Sequence, residues 1–202
     1  YPTPFHLPGN GPSAGSLCTN MVNNHYDIAI IGGGLAGLTL SIQCARAGYR
    51  TVLFEKEAYP FHRVCGEYIS LESWPFLERM GVPLQQLNLP IIQRLQVTAP
   101  NGKLFETKLP LGGFGISRFT LDHLLVNIAR DAGVTVYEQT KVNDVTAHGN
   151  VSLLSTTTEQ VQAKLVAGSF GKRSNLDVKW NRSFIQQKPN KLNNFIGIKY
   201  HI

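Results

Sequence analysis

The segment IIGGGLAG, residues 30–37, decides the fold class because a strand pattern precedes it and a helix pattern follows it. Residues 28–31, IAII, form a continuous apolar run typical of a parallel strand buried on both faces. Apolar residues then recur at helical spacing, which predicts an amphipathic helix over about residues 35–47 that stops at Gly48. A further strand at residues 51–54 completes a βαβ pattern and predicts an α/β fold of Rossmann type with a parallel sheet.

The glycines of this segment have separate predicted functions. Gly32 permits a tight turn, Gly34 lets the backbone approach a pyrophosphate, and Gly37 lets the helix pack close to the sheet. The amides of Leu35 and Ala36 lie at the positive end of the predicted helix, where they can meet phosphate oxygens. The pattern therefore predicts a dinucleotide site, and the alternative is an ordinary βαβ turn without a ligand.

An acidic residue supports the dinucleotide interpretation. Glu55 ends the second strand 23 residues after Gly32, where a carboxylate accepts hydrogen bonds from both ribose hydroxyls and repels a 2′-phosphate. Its neighbour Lys56 is a further candidate cofactor-binding residue. FAD and NAD both use such a unit, so this part of the chain leaves the choice between them open.

Further elements follow along the chain. A short helix is predicted over residues 71–80 and a longer amphipathic helix from about residue 119 to Ala132. Strand-like stretches at 94–99, 104–108 and 114–117 suggest a β-rich insertion over 82–117. A parallel strand at 134–137 precedes a predicted antiparallel meander of three strands, at 142–147, 151–155 and 161–167.

Composition limits the class of protein. The 202 residues are 43% hydrophobic, and no window approaches the ~18 consecutive apolar residues of a membrane-spanning helix, which predicts a soluble domain. Cys18, Cys44 and Cys65 are odd in number and form no CxxC pair, which favours a reducing cytoplasmic location and no metal site.

The formal charge of +6 is concentrated in the last quarter of the chain. From residue 161 onward, eight basic residues face only Asp177, and the preceding residues are close to neutral. A solvated tail is favoured over a nucleic-acid patch because no RNA-binding signature or aromatic stripe accompanies the charge. We therefore predict no nucleic-acid partner, while contact with a membrane surface stays open.

Four motifs resemble the p-hydroxybenzoate hydroxylase superfamily of flavoproteins, and within it the branch of geranylgeranyl reductases and flavin-dependent halogenases. They cover the dinucleotide fingerprint at 27–56, HRVCGEYIS at 62–70, ISRFTLDHLLVNIARDAG at 116–133 and VAGSFGKRSNLD at 166–177. The resemblance implies FAD as cofactor and NAD(P)H as transient electron donor. Phe170 departs from the family pattern, which usually has Asp there, although Gly171 and Ser174 match it.

The resemblance also implies functions for individual residues. Arg63, Arg118, the backbone of Val142, and Gly171 would contact the cofactor, while Asp122 would fix the start of its helix. Arg118 could instead simply pair with Asp122 four residues later. Cys65 would face the flavin ring as the candidate catalytic residue, and the alternative is an inert buried thiol.

The implied whole is an FAD-dependent oxidoreductase, of reductase or monooxygenase type, that acts on an apolar small molecule. The predicted divisions are a disordered leader at 1–25, an FAD-binding domain at 26–175 and the start of a truncated substrate domain at 176–202. Two alternatives remain: a fragment that binds FAD or ADP without catalysis, and a prenyl-protein carrier on the same fold. The sequence gives no indication of oligomeric state.

Overall fold

A computed structural model describes residues 24–65, 67–172 and 174–186, which form a six-stranded and a three-stranded sheet with four α-helices. Most of the predicted leader lies outside these residues. So do Cys18, Gly66 and the predicted substrate-domain strand beyond residue 186. The predicted division into domains remains a prediction.

The first βαβ unit follows the sequence pattern closely. It consists of β1 (His25–Ile31), α1 (Leu35–Arg46) and β2 (Thr51–Phe54). Helix α1 ends at Arg46 with Ala47 as its C-cap, and Gly48 follows with a left-handed φ of 87°, a conformation that favours glycine. The predicted strand, turn, helix and strand are therefore confirmed.

The middle of the chain forms the smaller sheet and a short helix. In chain order its elements are β3 (Tyr68–Ser70), a 3₁₀ turn (Leu71–Ser73), α2 (Trp74–Met80), a second 3₁₀ turn (Leu84–Gln86), β4 (Ile91–Thr98) and β5 (Leu104–Gly115). The strand order is β3, β5, β4, and all neighbours are antiparallel. Helix α2 stops at Gly81, as the sequence predicts.

Strand β5 differs from the expectation of two separate stretches. The chain runs as one strand through residues 104–115, because β4 pairs with most of its length and β3 pairs with its last three residues. A side chain at Gly113 would lie 2.2 Å from the Tyr68 ring. The glycine therefore serves close packing within the sheet and does not end the strand.

The remaining elements complete the larger sheet. In chain order they are α3 (Arg118–Asp131), β6 (Thr135–Tyr137), β7 (Val142–His148), β8 (Val151–Thr156), β9 (Gln160–Gly168), α4 (Asn175–Lys179) and a 3₁₀ turn (Ser183–Ile185). The predicted antiparallel meander of β7, β8 and β9 is confirmed. The expectation that Asp122 fixes the start of α3 is wrong, since Ser117 caps the helix by accepting a hydrogen bond from the Thr120 amide.

The strand order of the larger sheet, β6-β2-β1-β9-β8-β7, creates the crevice at which this fold binds ligands. Strands β6, β2, β1 and β9 are parallel, and β1 pairs with β2 on one side and with β9 on the other. In open α/β sheets, ligands bind at the carboxyl ends of strands where the chain order reverses. The predicted Rossmann-type α/β fold is confirmed, and it places this crevice at the end of β1.

Two apolar clusters cover the two faces of the sheet. Ile30 and Leu53 pack with Leu38 of α1 and Leu125 of α3, all within 5% exposure, and Ile31 belongs to the opposite cluster. Burial on both faces explains the continuous apolar run in β1. In the described ranges, none of the helices combines the length and apolarity needed to cross a membrane.

The approach of α1 to β1 is too close for a side chain. A Cβ on Gly37 would lie 2.0 Å from the Gly32 carbonyl oxygen and 2.6 Å from Oγ of Ser169. Gly32 has a φ of 104°, and a Cβ there would lie 2.7 Å from the backbone of Phe170. These two glycines are therefore needed by the fold itself.

We expect Gly37→Ala to destabilise the fold near the upper end of the ~1–3 kcal/mol that overpacking a core costs. Gly34→Ala is the matched control, because its Cβ would meet just one atom of the described residues, Nη2 of Arg118 at 3.8 Å. The control is expected to lower the free energy of unfolding by about 1 kcal/mol or less, the usual penalty for Ala at a helix N-cap. Denaturant unfolding measures both, and equal losses would contradict the packing explanation.

Candidate functional site

A cleft of about 250 Å³ lies at the carboxyl ends of β1, β2 and β9. Six of the predicted cofactor-binding residues line it: Gly32, Gly34, Glu55, Lys56, Arg63 and Val142. They come from four separate stretches of the chain, and the strand order of the larger sheet brings them together. The cleft is therefore the candidate ligand site.

The start of α1 is open on the side of the cleft. Gly34 is its N-cap, and no side chain caps the helix and no acidic residue stands in its first turn. Among the described residues, the only heavy atom found within 4 Å of a Cβ placed on Gly34 is Nη2 of Arg118. A helix start with free amides and room beside its glycine fits a phosphate group.

The peptide groups of Gly33 are held by two side chains that lie under the turn. Its amide donates to Oε2 of Glu55 at 2.9 Å, and its carbonyl accepts a hydrogen bond from the Tyr59 hydroxyl at 2.5 Å. A Cβ on Gly33 would lie 1.8 Å from that hydroxyl. Sequence reasoning missed both Gly33 and Tyr59. The run of three consecutive glycines was the available signal for Gly33, whereas the Tyr59 loop had none.

The Tyr59 hydroxyl stays protonated, and therefore stays a donor. Burial raises its pKa well above the ordinary value, and the negative charges of Glu55 and Asp122 raise it further. The carbonyl of Gly33 thus keeps its partner across the physiological pH range.

Glu55 is almost fully buried, with 3% exposure, and its carboxylate accepts hydrogen bonds from three of the described residues. Besides the Gly33 amide, Oε2 accepts a hydrogen bond from Nη2 of Arg63 at 2.8 Å, and Oε1 accepts one from the Glu57 amide at 3.1 Å. A carboxylate has about four acceptor positions, so Oε1 retains capacity for a ligand hydroxyl. The predicted contact with ribose is compatible with this geometry and remains a prediction.

Arg118 pairs with Asp122 and also reaches the glycine turn. Its Nε and Nη2 each donate to the carboxylate at 2.8 Å, and Nη2 lies beside Gly34. Although burial opposes its charge, the hydrogen bonds and negative charge of Asp122 raise the pKa of Arg118. The two interpretations of Arg118 offered by the sequence, ion pair and cofactor contact, are therefore compatible.

The other predicted residues lie around the cleft. Leu35 and Ala36 occupy the first turn of α1. They line a second, separate cavity of about 190 Å³, which also contacts α2 and α3. Gly37 is buried under the turn, and Gly171 lies between two residues of the cleft wall with a left-handed φ of 68°. Cys65 is half-buried, interacts with Arg118, and accepts a hydrogen bond from the Glu67 amide at 3.4 Å.

Sequence reasoning identified one part of the cleft wall only as a motif, residues 166–177, and missed another part. The segment after β9 and the start of α4, both within that motif, supply Ser169, Phe170, Lys172, Ser174 and Asn175, and the missed segment before β7 supplies Thr140 and Lys141. Oγ of Ser169 donates to the Gly32 carbonyl at 2.7 Å, which ties this wall to the glycine turn. The available signal was the position after a parallel strand, where ligand contacts concentrate.

The charge of the cleft favours an anion. Four basic side chains line it, from Lys56, Arg63, Lys141 and Lys172, against the single acidic side chain of Glu55, for a formal charge of +3. The open helix start adds the positive end of its dipole. Fold and site together define a Rossmann-type dinucleotide-binding domain.

The family follows from sequence comparison. Residues 25–199 match the family described as FAD binding domain, and the chain belongs to this family. The resemblance predicted from the four motifs is confirmed, because the relatives include a chlorinase, a flavin-dependent halogenase, a digeranylgeranylglycerophospholipid reductase and a kynurenine 3-monooxygenase.

Three similar proteins illustrate the extent of the match. The chain is 26% identical over 185 residues to the 1H-pyrrole-2-carbonyl-[peptidyl-carrier protein] chlorinase of Pseudomonas fluorescens, covering 75% of this chain and 40% of the relative. It is 32% identical over 125 residues to the digeranylgeranylglycerophospholipid reductase of Methanoculleus marisnigri, covering 59% and 31%. The structure of the flavin-dependent halogenase CmlS aligns with a TM-score of 0.67 at 23% identity, covering 78% and 31%. The chain thus spans less than half the length of the curated relatives it matches.

We expect Tyr59→Phe to lower the free energy of unfolding by about 1–2 kcal/mol, because the Gly33 carbonyl loses its donor. Tyr49→Phe is the control, since the Tyr49 side chain is 53% exposed. Denaturant unfolding of both variants gives the comparison. If the two variants lose the same small amount, the hydroxyl contributes nothing to holding the turn.

Proposed function

We propose that the cleft binds the ADP part of FAD. The pyrophosphate would lie over Gly34 and the first amides of α1, beside Arg118. The ribose would lie against Glu55 and Lys56, and the adenine against the backbone of Val142. Gly171 and Arg63 would line the same path.

The observation that carries the proposal is the space above Gly34. The fold explains Gly32 and Gly37 by contacts with the protein, whereas the surroundings of Gly34 leave room for a side chain. A backbone kept bare at an uncapped helix start, inside a cleft of charge +3, has the geometry and the charge that a pyrophosphate requires.

For the whole protein we propose an FAD-dependent oxidoreductase of reductase or monooxygenase type. The relatives' names support this class, since they include a reductase of digeranylgeranyl lipids, a menaquinone reductase and a kynurenine 3-monooxygenase. We propose an apolar small-molecule substrate and NAD(P)H as electron donor. Bound flavin would supply the hydride chemistry, and the residues of this chain would bind and orient it.

Cys65 remains the candidate for chemistry near the flavin ring. Its sulfur interacts with Arg118, whose Nη2 lies beside Gly34. We propose that it faces the part of the cofactor beyond the pyrophosphate, where a thiol can give or take a proton.

We expect the chain to bind FAD and ADP, and Gly34→Val to abolish both, because a branched side chain would occupy the phosphate position. Calorimetry with ADP and flavin absorbance after gel filtration measure the two ligands. Gly34→Ala, the smallest such change, should weaken binding while the fold persists. Unchanged flavin occupancy in Gly34→Val would refute the assignment. Binding by the wild-type chain without flavin bleaching by NAD(P)H would favour a domain that binds without catalysis.

Glu55 is expected to set the preference for an unmodified ribose. Glu55→Gln should weaken ADP binding by the ~1–3 kcal/mol of a charge-assisted hydrogen bond. It should weaken 2′-phospho-ADP binding less, because the repulsion of the 2′-phosphate disappears with the charge. Glu57→Gln is the control, since its half-exposed side chain pairs only loosely, at 3.9 Å, with Lys56. Calorimetry with both ligands gives the ratio, and an unchanged ratio would place the ribose elsewhere.

A further inference from the structure

A buried network of four charges lies directly under the glycine turn. Asp122 of α3 is completely buried, and Glu55 after β2 is nearly so. The side chains of Arg63 and Arg118 are partly buried, with 31% and 16% exposure. Two acids and two bases make the network formally neutral, which is the usual condition for charges held out of water.

Asp122 is the member that contacts both arginines. Its Oδ1 and Oδ2 accept hydrogen bonds from Nε and Nη2 of Arg118 at 2.8 Å, a fork geometry that fixes the guanidinium plane. Its Oδ2 also lies 3.6 Å from Nε of Arg63. Glu55 binds a different nitrogen of the same guanidinium group, since its Oε2 lies 2.8 Å from Nη2 of Arg63.

The arginines lie where a phosphate would bind. Nη2 of Arg118 is 3.8 Å from the position of a Cβ on Gly34, and Arg63 lines the cleft. Two guanidinium groups beside one turn repel each other, and a carboxylate placed against both removes that repulsion before any ligand arrives. Fixing donors in advance reduces the ordering that binding would otherwise require.

We propose that Asp122 is the positioning residue for the phosphate site, holding Arg118 and Arg63 with their free N–H groups toward the glycine turn. The inference rests on the proposed nucleotide site. Asp122 touches no ligand in this arrangement and acts only through the two arginines. Its burial within α3 makes it part of the fold and of the site at once.

Charge alone predicts the opposite effect, and this makes the proposal testable. Asp122 carries a negative charge near an anion site and repels a phosphate. If charge alone mattered, removing Asp122 would remove this repulsion and tighten phosphate binding. As a positioning residue, its removal should weaken binding, because an amide accepts through one oxygen and turns a donor toward the arginines. The sign of the change in affinity separates the two explanations.

The experiment measures ADP affinity by calorimetry on the full 202-residue chain and its variants, well below their melting temperatures. We expect Asp122→Asn and Arg118→Ala each to weaken ADP by about tenfold, the scale of one charged hydrogen-bond partner. The double variant should lose less than the product of the two, because the residues act together. Asp131→Asn, an exposed change of the same charge on the same helix, should bind like wild type.

The proposal is wrong if Asp122→Asn binds ADP as tightly as wild type or more tightly. It is also wrong if the loss of ADP affinity in the double variant equals the product of the two single losses, or if Asp131→Asn loses as much ADP affinity as Asp122→Asn. Arg118→Lys covers the case in which Asp122→Asn fails to fold. It keeps the charge without the fork, so binding as tight as wild type would also count against the proposal. A wild-type chain that binds neither ADP nor FAD would instead refute the nucleotide site itself.

Discussion

Helix α1 crosses the end of β1 at a distance that leaves room only for the glycines Gly32 and Gly37, and the rest of the structure depends on this close contact. Gly37 lies against the Gly32 carbonyl and Ser169, at distances that exclude even a methyl group. Because the helix begins this close to the strand, its first amides open onto the crevice between β1 and β9. The same contact therefore packs the sheet and exposes the backbone that we propose binds phosphate.

Stability and binding share a second feature, the buried charges behind the turn. Glu55 and Asp122 would each be unfavourable in the interior without a partner, and each is paired with an arginine, Glu55 with Arg63 in the cleft lining and Asp122 with Arg118 beside Gly34. Tyr59 adds a neutral donor to the same group of contacts. These buried ion pairs fix the orientation of the arginine side chains beside the proposed site. A substitution of one of the paired residues is therefore expected to change the folding stability as well as the binding of a ligand.

The sequence predicted what depends on local spacing. The βαβ unit, the three glycines and Glu55 lie within 30 residues, and backbone physics assigns each glycine a place in the turn. The resemblance indicated the segment 166–177, but local spacing could not place Ser169 beside the glycine turn, because that placement depends on β9 inserting beside β1 from more than 130 residues along the chain. Tyr59 was missed since a loop has no periodicity. Asp122 was misassigned because it lies in the second turn of α3, where its buried carboxylate meets two arginines and does not cap the helix.

Phe170 departs from the family pattern and leaves the cleft lining positively charged. Its ring lies against Gly168 and 6.3 Å from the Trp180 ring, so it packs into the wall with other aromatic and apolar side chains. The wall therefore contributes no carboxylate, and Glu55 is the only acid lining the described cleft. With an Asp at this position, the formal charge of the lining would fall from +3 to +2, and the added acid would stand close to the proposed phosphates. The neutral ring thus keeps the attraction for an anion, while the contact to the ligand that a carboxylate would make is lost. Attraction of the nucleotide consequently relies more on the lysines and on the arginines that Asp122 and Glu55 hold in place.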